Sequence, residues 1–523
     1  MNFKIYSLNA IRFPFHKKKI AALISICLLT VGLAAGESDG QQQPVETRQL
    51  IKQAEKLTRR GVLPEAEKIL RDVIEIDSKN YAAKLALANN LLKQRRIVEA
   101  YNLSLEAARA EPKNSSAFAT LGAALLNAGN FRDARISLIN AVNLNNDEAL
   151  AWANLGLLDF YENRIFDGLS NLRAAVYLRS NEPDFVYALA QVSARAELYS
   201  EAASAYRAFL RIAPIADVER RDRIKGLIDF LSFLGSRQKL YEQGGAKQAN
   251  VSFKLKNDRP VIEVRLDKTG EPLNFVLDTG AGMSVLSEET AQRLHLKPVA
   301  RGGTARGVGG NGKFDIVYGF LKSIYIGDVK IRNVPVYIRK FHAANEGTDG
   351  YIGLSLISKF LTTIDYGNKT FELLDKSIAD KRKPADENLS LPLRLTSSGF
   401  LSGEVELEGI QTPLNFIVDT GASVSVISND VAGMEQISRF VKAEKMRVIG
   451  AAGVTDSVPM FLLPRITFGT HSRQSIKAVA LDLDLINESA GFEQAGILGG
   501  NFLKNYCLTF DFQNSKVIFV PVK

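Results

Sequence analysis

The residues Pro272 to Ser287 read PLNFVLDTGAGMSVLS, and the residues Pro413 to Ser428 read PLNFIVDTGASVSVIS. The two segments are identical at eleven of sixteen aligned positions, and most of the other positions exchange one apolar residue for another. Each segment places Asp-Thr-Gly-Ala directly after an apolar run that is typical of a β-strand. Such a match within one chain indicates an internal repeat, so we expect Asp278 and Asp419 at equivalent positions of two similar lobes.

The repeat continues downstream of both segments. Gly350-Tyr351-Ile352-Gly353 corresponds to Gly496-Ile497-Leu498-Gly499, and each is followed by a further strand-like stretch. Gly353 follows Asp278 by 75 positions, and Gly499 follows Asp419 by 80 positions. The two copies therefore share one order of motifs and nearly one spacing.

On these motifs, residues 251–523 resemble the retropepsin-like and pepsin-like aspartic peptidases, whose lobes each carry Asp-Thr-Gly early and two apolar residues plus Gly late. The resemblance implies a mostly-β, bilobed acid-protease fold, with lobe 1 over 251–375 and lobe 2 over 389–523. Alternation of apolar and polar residues from Val251 onward also predicts strands. The charged stretch 376–388 is interpreted as the linker between the lobes.

The resemblance also implies the chemistry of the site. Asp278 and Asp419 would share one proton and activate a water molecule, with no covalent intermediate. Neighbouring residues would support them: glycines that let the backbone approach the carboxylates, threonines that hydrogen-bond across the lobe interface, and alanines where pepsins usually carry a hydroxyl. These supporting residues are Gly280, Gly421, Thr279, Thr420, Ala281 and Ala422. Because the alanines supply no hydroxyl donor, we expect a dyad less acidic than pepsin's and activity at mildly acidic to near-neutral pH.

The segment from Gly307 to Gly312 matches G-x-G-x-x-G, but a strand-like run follows it where a dinucleotide site requires a helix. We interpret it as the tip of a flap hairpin, with the segment from Gly450 to Gly453 as its counterpart in lobe 2. The candidate flap residues are Gly307, Gly309, Gly310, Gly312, Gly450 and Gly453. The chain has four His and no clustered Cys, so we expect neither a metal site nor a cofactor.

Residues 47–216 contain a second repeat, with a period of 34. Repeats that start at Thr47, Tyr81, Ser115, Ala149 and Pro183 each place Ala or Gly at the eighth and twentieth positions. Small residues there allow two helices to pack closely. The pattern resembles tetratricopeptide repeats (TPR) and predicts an all-α helical-repeat solenoid. Residues 217–250 are interpreted as a capping helix, followed by a hinge at Gly244 and Gly245.

Residues 1–36 combine a basic head with an apolar run and small residues, which is typical of a signal peptide. An uncleaved anchor over residues 20–36 is the alternative, and residues 37–46 would form a linker. Both readings predict an exported protein, periplasmic or secreted, with membrane contact only if the segment is retained. The net charge is +9, of which five basic residues of this segment supply +5, so the remaining +4 gives no reason to expect a nucleic-acid partner.

Three functions are compatible with these patterns. The first is a single-chain aspartic endopeptidase that cuts a polypeptide substrate, with the repeats recruiting or positioning that substrate or a protein partner. In the second, each lobe acts as a separate homodimeric retropepsin. The third is a non-catalytic scaffold that binds peptides through the solenoid and a silent β cleft.

Overall fold

The first helix begins at Gln42 in a computed structural model that describes residues 42–237, 239–342, 347–379 and 389–522. The predicted signal peptide or anchor over 1–36 lies outside the described residues. The predicted linker over 37–46 is wrong at its C-terminal end, because residues 42–46 already belong to a helix. This stretch contains Gln and Glu, which have a high helix propensity.

The chain divides into two compact units between Pro112 and Lys113. The first unit is helical, and small residues allow its paired helices to pack closely around Leu70, Leu87 and Leu91. Its helices are α1 (Gln42–Arg59), α2 (Leu63–Ile76), α3 (Tyr81–Lys93) and α4 (Ile97–Ala110).

The second unit opens with eight more helices, and the predicted small residues lie where its repeat helices meet. A Cβ added at Gly168 would lie 2.7 Å from the carbonyl oxygen of Gly156, so these two helices could not pack as closely with larger residues. Asn114 begins the first of the eight helices by accepting a hydrogen bond from the backbone nitrogen of Ala117 at 3.2 Å. The helices are α5 (Ser115–Asn127), α6 (Phe131–Leu144), α7 (Ala149–Tyr161), α8 (Ile165–Leu178), α9 (Pro183–Arg195), α10 (Tyr199–Ile212), α11 (Val218–Arg223) and α12 (Leu227–Gly235).

Lobe 1 is built on a nine-stranded sheet with the order β3-β4-β5-β10-β6-β9-β8-β7, in which β1 pairs with β9. Helix α13 (Glu288–Arg293) follows β6, and Ser287 caps it by accepting from the backbone nitrogen of Thr290 at 3.0 Å. The strands are β1 (Glu242–Gly245), β3 (Lys254–Lys256), β4 (Arg259–Val264), β5 (Leu273–Leu277), β6 (Val285–Ser287), β7 (Ala300–Arg306), β8 (Lys313–Ile326), β9 (Val329–Arg339) and β10 (Gly350–Ile352).

Lobe 2 repeats this plan in a ten-stranded sheet of order β18-β19-β22-β17-β23-β16-β15-β20-β21, in which β14 pairs with β15. Its helices are α16 (Asn429–Ala432), α17 (Glu435–Ser438) and α18 (Asp484–Ala490). The strands are β14 (Arg394–Leu395), β15 (Leu401–Leu407), β16 (Leu414–Val418), β17 (Ser425–Ser428), β18 (Val441–Gly450), β19 (Gly453–Leu463), β20 (Ile466–Phe468), β21 (His471–Arg473), β22 (Ile476–Leu481) and β23 (Gly496–Leu498).

A third, six-stranded sheet joins the lobes, with the order β13-β25-β24-β11-β12-β2. Its central pair is β11 of lobe 1 against β24 of lobe 2, so the lobes are held together within one chain. Short helices α14 (Leu354–Ile357), α15 (Lys376–Ala379) and α19 (Gly500–Leu503) complete the fold, and residues 380–388 of the predicted linker lie outside the described residues. The strands are β2 (Gln248–Ser252), β11 (Phe360–Asp365), β12 (Thr370–Asp375), β13 (Ser390–Pro392), β24 (Tyr506–Asp511) and β25 (Lys516–Pro521).

The predicted boundary between repeats and lobes is wrong. Gly244 and Gly245 do not form a hinge, because they belong to β1 and pair with Lys330 and Val329 of β9. Helix α12 does cover the last repeat, where Leu231 packs among residues of α9 and α10. That end is not exposed, however, since Phe230 is fully buried and stacks on Tyr318 of β8 at 4.7 Å between ring centroids. The ladder with β9 and the burial of Phe230 outweigh the flexibility that two adjacent glycines suggest.

Helices α5–α12 pack against both lobes within the second unit. Phe131 of α6 meets Phe492 of lobe 2 edge to face, with ring centroids 4.9 Å apart. Tyr161 of α7 shares a hydrogen bond with Ser397 at 3.1 Å between hydroxyl oxygens. The repeats and the lobes therefore share buried surface from α6 onward.

Among the described helices, none combines the length and the apolar character that crossing a bilayer would require.

We predict that Phe131→Ala lowers the free energy of unfolding by about 3–5 kcal/mol, because it empties an aromatic contact between repeats and lobe 2. The matched control is Phe166→Ala on α8, whose side chain is 73% exposed whereas that of Phe131 is 2% exposed. The control should change stability by less than about 0.5 kcal/mol. Denaturant unfolding of both variants measures the difference, and equal losses would contradict the packing described here.

Candidate active site

Asp278 and Asp419 occupy equivalent loops directly after β5 and β16. The backbone nitrogen of Asp278 donates to Ile352 of β10 at 3.0 Å, and that of Asp419 donates to Leu498 of β23 at 3.0 Å. The duplicated glycine-containing motifs thus form the strands that fix each aspartate loop. The internal repeat of the sequence is a repeat of structure at this site.

Thr279 and Thr420 lock the two loops to each other. The hydroxyl of Thr279 donates to the carbonyl of Val418 at 2.6 Å, and the hydroxyl of Thr420 donates to the carbonyl of Leu277 at 2.7 Å. Each hydroxyl also accepts the backbone N–H of the other threonine at 3.1 Å. Both side chains are fully buried, so breaking one bond would leave a polar group without water to replace its partner.

The carboxyl groups face each other across this lock. A Cβ added at Gly280 would lie 2.4 Å from the carboxyl carbon of Asp419, and one added at Gly421 would lie 2.5 Å from that of Asp278. Any side chain at either position would push the opposite carboxylate away. Glycine in both motifs therefore lets each aspartate loop approach the carboxyl group of the other lobe closely.

The two carboxyl groups receive unequal support from the backbone. Asp278 accepts one N–H, from Gly280 at 2.9 Å, whereas Asp419 accepts two, from Gly421 at 2.8 Å and from Ala422 at 3.0 Å. Ala281 donates only to the backbone carbonyl of Asp278, at 3.3 Å. Since N–H donors stabilise a charged carboxylate, Asp419 is the better site for the negative charge.

Burial raises the pKa of Asp278 well above its ordinary value, and the charge of Asp419 raises it further. Burial also raises the pKa of Asp419, although the N–H groups of Gly421 and Ala422 oppose that effect. The site therefore favours one shared proton carried by Asp278, with the charge on Asp419. The cause of this direction is burial, and the expectation that the alanines make the dyad less acidic than pepsin's stays a prediction.

The candidate flap glycines lie at the tips of two hairpins, β7–β8 and β18–β19, and the tips meet. The backbone nitrogen of Ala452 donates to the carbonyl of Val308 at 3.0 Å. Gly307, Val308, Gly450 and Ala451 line the same cavity as the two aspartates. Gly309, Gly310 and Gly312 take positive φ in the first tip, and Gly453 does so in the second.

Sequence reasoning missed the residues that hold the first flap. Glu219 of α11 pairs with Arg306 and Lys313, which flank the glycine tip, and Arg306 also lies 3.4 Å from Glu488 of α18. The Arg306 side chain is only 3% exposed. Glu219 and Arg306 are 87 positions apart, and no motif or periodicity connects them.

Arg339 of β9 is a second residue that sequence reasoning missed. Its Nη1 donates to the carbonyl of Ala451 in the opposite flap at 3.3 Å, and its guanidinium lies 4.8 Å from the ring centroid of Phe341. Burial lowers the pKa of Arg339, while Tyr351 and Asp278 oppose that effect. A buried cation therefore stands between the second flap and the dyad.

Comparison with known proteins identifies the class of the lobes. The aspartyl protease family model matches residues 262–356 and 403–502, one segment in each lobe and each with one Asp-Thr-Gly. Both lobes are therefore similar to this family, and the recognition of two aspartyl protease-like lobes is confirmed. No curated protein gives a significant match.

The helical repeats are similar to solved TPR-type structures. A Pseudomonas aeruginosa structure described as the functional characterization of pilF is 20% identical, covering 33% of this chain and 78% of its own, with a TM-score of 0.27. A thermophilic TPR protein of Thermus thermophilus, TTC0263, is 19% identical, covering 34% of this chain and 95% of its own, with a TM-score of 0.30.

Among the described residues no cluster of three or more His, Cys, Asp or Glu is arranged to hold a metal ion.

We predict that Asp278→Asn raises stability at neutral pH and has little effect in acid. A carboxyl with a raised native pKa contributes stability that is complete below its unfolded pKa of about 3.9 and is lost as the pH rises through the native value. Asp278→Asn removes this carboxyl, so it removes a cost in stability that is absent below about pH 3.9 and grows as the pH rises towards the native pKa of Asp278. Melting temperatures from pH 3 to pH 8 measure this effect.

The matched control for this measurement is Asp328→Asn, in the exposed turn between β8 and β9. Its difference from the wild type should stay near zero at every pH. A difference for Asp278→Asn that does not grow with pH would contradict the raised pKa.

Proposed function

We propose that this protein is an exported aspartic endopeptidase that hydrolyses peptide bonds with water activated by Asp278 and Asp419. One observation carries the proposal: two partly buried carboxyl groups each lie against the glycine of the opposite loop, and reciprocal threonine bonds hold these loops together. Residues of both flap tips line the same cavity as the dyad, and we propose that an extended peptide binds there as an added strand.

Water attack needs one base and one acid, and the unequal backbone support assigns these roles. Asp419, as the carboxylate, accepts a proton from the water as its oxygen bonds to the carbonyl carbon. Asp278 gives its proton to the carbonyl oxygen, which forms a tetrahedral diol. Asp419 then gives its proton to the amide nitrogen, and Asp278 takes a hydroxyl proton of the diol as the C–N bond breaks. This releases an acid and an amine and restores the dyad, and no bond to the protein forms at any step.

The two alternative functions are less well supported. Separate homodimeric lobes would each need a second copy at the dyad, but Thr279 and Thr420 already join the two lobes of one chain. A silent peptide-binding scaffold has no use for two desolvated carboxyl groups in contact, because burying a charge costs free energy. Both alternatives remain outcomes of the activity experiment below.

We also propose that the repeats position the substrate by completing the cleft. Support comes from Glu219 of α11, which holds both sides of the first flap tip. A polypeptide is the proposed substrate, and the repeats could add a docking site for a protein partner. Nucleic acid has no role in this proposal.

Export rests on the basic and apolar sequence of residues 1–36. Cell fractionation tests it. Recovery in the cytosol of a host that processes such signals would contradict it, whereas membrane retention would favour the anchor over residues 20–36.

We predict that Asp278→Asn and Asp419→Asn, made separately, each lower kcat by at least about 1,000-fold, because each removes one member of an acting pair. Cleavage of an unbiased peptide mixture across pH measures this, with Asp328→Asn as the control. Substantial activity in both variants would favour separate homodimeric sites. If the wild type cuts nothing at any pH, the scaffold becomes the better reading.

We predict that Glu219→Gln lowers kcat/KM roughly tenfold, because losing a charged hydrogen bond of about 1.5 kcal/mol loosens the closed flap. The effect should appear mainly in KM, since the dyad is untouched. Glu201→Gln, which breaks the surface pair of Glu201 with Arg173 inside the repeats, is the matched control. Equal kinetics for both variants would mean that the repeats do not position the flap.

A further inference from the structure

The cavity that holds the dyad extends to the helical repeats. It has a volume of about 850 Å³, within the range of about 300–1,000 Å³ that is usual for sites taking drug-sized ligands. At one end it is lined by Tyr187, Gln191 and Arg195 of α9, Tyr206 of α10 and Arg223 of α11. A substrate in the cleft would therefore meet side chains of the repeats as well as those of the lobes.

Contacts between the repeats and lobe 1 surround this end of the cavity. On the flap side, Glu219 holds Arg306, as described above. Glu197 pairs with Lys359, two residues after α14, and both line the cavity. Phe230 and Tyr318, which stack on each other, line it as well.

The repeats also contact lobe 2 near this end of the cavity. Asn163 donates to the carbonyl of Phe512 at 2.9 Å, and Tyr161 meets Ser397. Side chains of α9, α10 and α11 thus line this end of the cavity, and the repeats contact both lobes beside it.

This cavity is strongly cationic. Seven Arg and Lys side chains line it against three acidic ones, which are Asp278, Asp419 and Glu197. The two aspartates share a proton, and Glu197 is paired with Lys359. Arg306 and Arg447 are also paired, with Glu219 and Asp456 outside the lining. The other four cations of the lining outnumber the single negative charge that the dyad carries.

Arg195 and Arg223 are the cations that the repeats contribute to the cavity. Within the part of the chain that the structure describes, no carboxylate lies within 4.0 Å of either guanidinium. Arg195 lies 5.9 Å from the ring centroid of Phe512, and burial lowers its pKa, with Tyr241 and Glu197 opposing that effect. A desolvated guanidinium is best satisfied by a carboxylate, which it can bind through two parallel hydrogen bonds.

We propose that the repeat-facing end of the cavity binds the C-terminal carboxylate of the peptide substrate, and that Arg195 and Arg223 determine this specificity. The inference rests on the proposed function and narrows its substrate class to peptides cut near their C-terminus. An acidic side chain offers the same carboxylate chemistry. The chain terminus is favoured, because a longer chain would have to pass between the repeats and the lobes, which the Glu197–Lys359 and Asn163–Phe512 contacts hold together.

The test compares three sets of short randomised peptides on the full chain. One set ends in a free carboxylate, a second ends in a carboxamide, and a third ends in a glutamate whose terminus is a carboxamide. We expect kcat/KM to be roughly tenfold higher for the free-acid peptides than for the plain carboxamides of the second set, mainly through a lower KM. Equal cleavage of all three sets overturns the inference and leaves the proposed peptidase intact.

The third set identifies the source of the carboxylate. If the glutamate amides are cut as efficiently as the free acids, the pocket binds any carboxylate rather than a chain terminus, and the assignment to the C-terminus is wrong. If they are cut no better than the plain amides, the terminal carboxylate is the ligand.

Substitutions test whether Arg195 and Arg223 cause the preference for free acids. Arg195→Met should abolish the preference for free acids, and Arg195→Lys should retain part of it, because it keeps the charge but not the planar fork. Arg211→Met, on the exposed face of α10, is the matched control and should retain it fully. Melting temperatures check that each variant is folded, and an unchanged preference in folded Arg195→Met and Arg223→Met overturns the assignment to these residues.

Direct binding separates this inference from the proposed catalysis. Asp278→Asn should bind the free-acid peptides roughly tenfold more tightly than the amides in a calorimetric titration. If the wild type cuts nothing but this variant keeps that preference, the catalytic proposal fails and the carboxylate pocket stands. If the variant binds both sets equally, the pocket is refuted.

Discussion

The reciprocal hydrogen bonds of Thr279 and Thr420 are the constraint on which the site depends. They form only if the loops after β5 and β16 approach each other closely, and that approach also brings two carboxyl groups together. Bringing these groups together is unfavourable, because burial and mutual repulsion both disfavour the charged forms. The six-stranded sheet and the repeats, which contact both lobes, oppose a separation of the lobes that would reduce this repulsion.

Much of the site could be predicted from the sequence because its chemistry lies in short duplicated segments. Asp278, Asp419 and their neighbours follow apolar strands in both copies, and the glycine-rich flap tips have corresponding positions. The helical repeats were equally accessible, since helices α3, α5, α7 and α9 begin at the residues where the period of 34 places repeat starts. In each case the information is local or periodic.

The remaining features depend on contacts between residues far apart in sequence. Gly244 and Gly245 suggest flexibility until β9 pairs with them, and α12 looks like a terminal cap until Phe230 meets Tyr318. Arg195 stands in an ordinary amphipathic helix, so nothing in its neighbourhood distinguishes it from a solvated surface arginine. The modest overall charge likewise conceals a cationic cavity, because it averages over both units of the chain.

Because α5–α12 pack against the lobes, the cavity is lined by two groups of residues that can change independently in evolution. Residues of the dyad loops come in matched copies, so a change in one copy disturbs a partner in the other. The side chains that α9 and α10 direct into the cavity have no such copy in the lobes. A lineage could therefore alter which peptides it accepts by drift in its repeats, while its hydrolytic machinery stays unchanged.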